Sequence, residues 1–150
     1  MKRFRKYLSY EIAIDIKTCI YFFMILFYYF TWQIIRGSLT ADIVLMVEML
    51  AAAYAMGYIQ MYLLGNFDEA EKLGKGEWLK IVLASLTYAV ASYALAWFAR
   101  NLIATVLFFV YMVLCYGCIF LTYKIKRDID TTQLNRELEQ FKKGKESDTE

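Results

Sequence analysis

The chain has 150 residues, of which 60% are apolar and 18% aromatic, against the ~45–50% apolar usage of an average soluble domain. That excess excludes extensive disorder, which requires low hydrophobicity, and the absence of histidine and proline removes every histidine-based catalytic or metal centre and every proline-built linker. Seventeen Lys/Arg against fifteen Asp/Glu leave a net charge of only +2, so bulk electrostatics announce no direct nucleic-acid binder; the composition is that of a membrane protein.

Residues 1–17 place Phe4, Leu8, Ile12 and Ile16 at four-residue spacing, with Tyr7 beside them and charged residues over much of the remainder. Two readings stand side by side. One is an amphipathic helix in the membrane interface with its basic residues near anionic lipid, and the other is a purely basic topology determinant. The apolar run that follows is too long for a secretory signal and lacks a small-residue cleavage site, which predicts a retained helix.

Four apolar runs then predict transmembrane helices over 18–35, 43–64, 78–99 and 102–123. Spanning the ~30 Å hydrocarbon core takes ~20 apolar residues, and a backbone in lipid must satisfy its own hydrogen bonds. Fifteen Lys/Arg lie before the first run, around the middle connection or after Tyr123, whereas only Arg36 and Arg100 lie in the other two connections. This bias predicts a multi-pass cell-membrane protein with both termini and the middle connection in the cytoplasm. Tyr28, Tyr29, Trp32, Trp78, Trp97 and Tyr123 fit interfacial aromatic belts. Only Arg100 and Asn101 separate the last two runs, which predicts an antiparallel hairpin with a minimal outer turn.

Asp42, at the start of the second helix, lies where it can meet the free N–H groups there. Glu48 is deeper, and a carboxylate at that depth faces a partner, water or the interior of the protein. The preferred expectation is a structural hydrogen bond to a Tyr, Ser or Thr of another helix; the alternative is a proton-sensing or ligand-contacting group. Gln60 is expected to be structural. Ala51, Ala52, Ala53, Ala55 and Gly57 slim the second helix, and Ser85, Ala89, Ser92 and Ala96 form a small-residue stripe on the third. Small faces let membrane helices approach closely, so helices two and three are expected to pack on one another, with a homodimer face as the alternative. Cys115 and Cys118 have Cys-x-x-Cys spacing, but no second pair or histidine accompanies them. With Cys19 they read as buried apolar cysteines. There is no phosphate loop, triad or paired-carboxylate site, so neither an enzyme nor a cofactor is expected.

Beyond Tyr123, Asp130 and Gln133 have capping-box spacing, which predicts a helix restart. Leu134, Leu138 and Phe141 then share one face, and Glu139–Lys143 is a favourable pair. The expected product is a short cytoplasmic helix ending near Gly144 in a charged, disordered tail. The fold class is thus all-α: residues 1–17 interfacial, 18–123 a four-helix transmembrane bundle, 124–150 a cytoplasmic tail.

These four spans, the basic N-terminus, the minimal outer turn and the tail YKIKRDIDTTQLNRELEQF resemble a family of short Gram-positive membrane proteins encoded beside LytTR-type DNA-binding regulators. The stretch GYIQMYLLGN–F followed by W–LK is similar to that family's second-helix and middle-loop region. The resemblance implies a membrane-embedded antagonist that holds a cytoplasmic transcription regulator inactive. On that expectation the partner binds residues 66–77, with Asp68 and Glu69, and the tail stripe Leu134, Leu138 and Phe141. The alternatives are a small transporter or channel subunit using Glu48, and a membrane immunity protein.

Overall fold

The computed structural model describes residues 2–147, and the side chains of Phe4 and of residues 7–142. The side chains of Lys2, Arg3, Arg5, Lys6 and Lys143, and the last three residues of the expected tail, lie outside the described residues. Four helices follow one another: α1 (Lys2–Ile35), α2 (Ile43–Tyr62), α3 (Lys75–Ala94) and α4 (Leu102–Ser147), with a single 3-10 turn, Phe67–Glu69, between α2 and α3. No strand occurs among the described residues.

The N-terminal segment and the first apolar run form one helix of 34 residues. Nothing in the sequence interrupts it until Gly37, whose φ of +73° ends the helix. The Ser38 N–H then reaches back to the Gln33 carbonyl at 2.9 Å, satisfying one of the last free acceptors. The second helix starts on Asp42, whose side chain accepts from the Val44 N–H at 2.9 Å. The expected helix restart in the tail does not occur. Instead α4 runs unbroken for 46 residues, roughly 70 Å at 1.5 Å per residue. Asp130 caps nothing because the backbone before it is already helical, and the helix passes the expected stop at Gly144 to reach Ser147.

Three helices are long and apolar enough to cross a membrane: α1 from Tyr7, α2, and α4. The third predicted span is shorter than its apolar run. Helix α3 begins earlier, with Lys75, Glu77 and Lys80 in its first turns, and ends at Ala94. Its uncharged part, residues 81–94, gives only about 20 Å of helix. Residues 95–101, expected to continue the helix into a two-residue turn, fold as a chain of tight turns with Ala96, Ala99 and Arg100 at positive φ. Burial of Trp97 and Phe98 offsets the cost of those left-handed non-glycine residues. Asn101 then caps α4, accepting from the Ala104 N–H at 3.1 Å.

Each helix turns one stripe inward: Tyr21, Ile25 and Tyr29 of α1, Met49, Ala53 and Met56 of α2, Ile81, Ala84 and Tyr88 of α3, and Phe108, Met112 and Tyr116 of α4. The opposite faces expose large apolar side chains such as Phe23, Phe27, Val47, Val90 and Ile103, the arrangement expected where lipid is the solvent. Helix α1 packs chiefly on α2 and α3 chiefly on α4, while α2 and α3 meet only sparsely. The small residues therefore do not do what was expected of them. Ala51 and Ala55 are exposed, and Gly57 faces α1, where an added methyl group would sit 3.0 Å from the Thr18 hydroxyl. Ser85, Ala89 and Ser92 are buried within the chain, but Ala96 has left the helix altogether. Packing shape decides this: the α2 face that fits α1 carries Met49, Ala53, Met56 and Gly57, about half a turn from Ala51 and Ala55. The cysteines also depart from expectation, since Cys19 and Cys118 are exposed on apolar helix faces and Cys115 is half-buried.

Candidate functional site

At the end of the molecule opposite residues 36–42 and 95–101, the chain leaving α2 turns back into the helices. Gly65 and Asn66 take up consecutive left-handed conformations, φ +67° and +54°, which glycine and asparagine tolerate best. The reversal inserts Phe67, 1% exposed, against Tyr116 of α4 with ring centroids 5.5 Å apart. Burial of that ring is what seats the loop.

Seating Phe67 brings Asp68 to Lys17 of α1. The Lys17 ammonium lies 2.7 Å from Asp68 Oδ1 and 3.2 Å from Glu69 Oε1, and it also donates to the Asn66 side-chain oxygen. Lys17 is 2% exposed and Asp68 1%, so both charges are removed from water. Tyr21, one turn further along α1, places its hydroxyl 2.5 Å from Gln60 Oε1 and 3.1 Å from Asp68 Oδ2. Arg127 of α4 closes the loop from the other side, donating to the Glu69 carbonyl at 3.3 Å and the Ala70 carbonyl at 3.1 Å. One cation, Lys17, thus faces two carboxylates while Arg127 holds the loop backbone, and α1, α2, the loop and α4 are tied at one place. Both carboxylates are engaged by Lys17. The chemistry of the cluster is that of a structural lock, in which Lys17 or Asp68 left alone would be a buried, unpaired ion.

Several expected site residues are placed differently. Asp68, expected to face a partner, is enclosed. Glu69 is 42% exposed but its carboxylate turns to Lys17. The reason is the missing counter-ion: Lys17 was counted only as a topology charge, although it falls in the buried α1 stripe between Ile14 and Tyr21, a register that could have flagged it. Gln60 is fully buried and structural on its oxygen side. Glu48 does not make the expected hydrogen bond. It is half-buried, and its enclosed Oε2 has no partner. The tail residues Leu134, Leu138 and Phe141 lie on the free extension of α4, 58%, 53% and 77% exposed. Ile125 and Ile129 continue the exposed apolar series towards the core.

Comparison with known protein families, with characterised proteins and with solved structures finds no match. The fold defines its class: among the described residues, an all-helical protein with three helices long and apolar enough to cross a membrane, locked by a buried ion pair.

Proposed function

We propose that this protein is a multi-pass membrane regulator that binds and restrains a cytoplasmic partner, a transcription regulator of the LytTR type, through the extension of α4. In this reading α3 and the compact turns at residues 95–101 act together as a fourth crossing, completing a four-helix bundle. An even number of crossings puts both termini on one side, and the fifteen-to-two division of Lys/Arg makes that side the cytoplasm. Reporter fusions after Lys75 and Glu150 are expected to report cytoplasm and one at Ser38 the outside; an external C-terminus would overturn the arrangement.

The observation that carries the functional reading is the arm itself. Leu134, Leu138 and Phe141 are each more than half exposed on a segment too polar to lie in lipid, and an apolar helical stripe in water calls for a groove to cover it. Because α4 is continuous, the stripe is held at a defined distance from the membrane. The resemblance to regulator-associated membrane proteins supplies the class of partner. Leu134→Asp combined with Leu138→Asp is expected to leave membrane insertion intact, abolish co-purification of the regulator and derepress its target genes to the level of a full deletion. Unchanged co-purification and reporter output would sink this reading. A transporter subunit using Glu48, whose Oε2 is unpartnered, would then gain.

A further inference from the structure

Beneath the Lys17–Asp68 lock, the helices enclose a second set of polar groups that the lock does not use. Gln60, Tyr88 and Tyr116 are each at most 1% exposed. Gln60 Nε2 and the hydroxyls of Tyr88 and Tyr116 have no hydrogen-bond partner among the described residues, and neither does Ser85 Oγ, one turn from Tyr88 on the same α3 face. Gln60, Tyr88 and Tyr116 come from three different helices yet converge on Tyr21. The Tyr21 ring lies 5.2 Å from that of Tyr116 and 6.4 Å from that of Tyr88, and its hydroxyl touches the Gln60 side chain.

Buried polar groups are satisfied in the great majority of proteins, and within hydrocarbon no outside partner can substitute. One orphan is an exception; three around one tyrosine, with Ser85 a turn away, describe a site. Their chemistry defines the occupant. Hydroxyls donate and accept while the Gln60 amide nitrogen only donates, so the occupant must do both. A metal cation would find too few spare acceptors and the Lys17 ammonium close by, and an anion would meet Asp68. The ring separations restrict its size. We propose that these groups form an internal water-binding site, in which water bridges Gln60, Tyr88 and Tyr116 next to the ion pair, with Ser85 at its α3 side. Buried waters make about three such bonds each. Water held beside Lys17 and Asp68 also lowers the cost of keeping both charges away from bulk solvent. This inference rests on the helix core alone and is independent of the regulatory reading.

Two measurements on the full chain in lipid nanodiscs test it. Radiolytic hydroxyl-radical footprinting labels side chains next to bound water, even in a core. Tyr116 and Tyr88 are expected to be labelled at least fivefold faster than Phe108, which is equally buried on α4. Tyr116→Phe and Tyr88→Phe, both nearly isosteric, provide the second readout. At a hydrated site, deleting the hydroxyl strands the water and lowers the Tm; at a dry site, it removes an unpaired buried group and raises it. Labelling of Tyr116 no faster than Phe108, or a raised Tm in either variant, overturns the proposal.

Discussion

Lys17→Met alone is expected to destabilise the protein by ~3–5 kcal/mol, the usual cost of removing one partner from a buried ion pair. The loss arises because Asp68, 1% exposed, would be left ionised and opposed only by the Tyr21 hydroxyl. Adding Asp68→Asn removes the stranded charge while keeping an acceptor for Tyr21, so the double variant Lys17→Met/Asp68→Asn is expected to recover most of the loss. Glu69, already 42% exposed, can turn to water in either background. The ranking can be read by unfolding in mixed micelles and by trypsin cleavage after Lys72 and Lys75, which should accelerate strongly in the single variant as the loop leaves its seat. A single variant as stable as the parent, or a double no better than the single, would mean that the lock does not hold the loop.

Phe67→Ala should be nearly as damaging, at about 3–5 kcal/mol for a fully buried aromatic ring. The ring sits on Tyr116 and positions the three residues that follow it, so its removal also frees Asp68 from Lys17 and the Glu69 and Ala70 carbonyls from Arg127. Phe67→Leu, which keeps apolar volume, should cost much less, and exposed Lys72→Ala next to nothing. This series separates two views of the middle connection. A loop that exists to meet a partner would tolerate Phe67→Ala in stability and lose only binding. A loop built as a plug would lose stability first, with faster proteolysis between Glu71 and Lys75. A cost under ~1 kcal/mol for Phe67→Ala would reject the plug.

The two predictions concern residues that a reading of the chain by itself handled unequally. Spans α1, α2 and α4, the cap at Asp42 and the apolar series in the tail were legible because each depends on neighbours within a turn or two. Long apolar runs must be helical in lipid whatever surrounds them, and Asp42 needs only the N–H two residues ahead. Exposure of Leu134, Leu138 and Phe141 followed from the same local pattern, since a charged flank keeps that segment out of hydrocarbon.

Other features needed the folded chain. Continuity of α1 and α4 was hidden because a charged segment and an apolar one look like separate elements, although helical hydrogen bonds run through both; α1 holds no glycine or proline, and α4 passes through Gly117 and Gly144 unbroken. The short α3 was hidden for the opposite reason: its apolar run is uniform, and burial of Trp97 and Phe98 against neighbouring helices stops the helix where no local signal does. Helix pairing turned on which face carries Gly57 and which carries Ala51 and Ala55, and packing shape settles that rather than residue size alone. Above all, Lys17 and Asp68 are fifty-one residues apart. Each read as a solvated charge until Phe67 carried the loop into the core, and only there, away from water, does the attraction between them become strong enough to define a site.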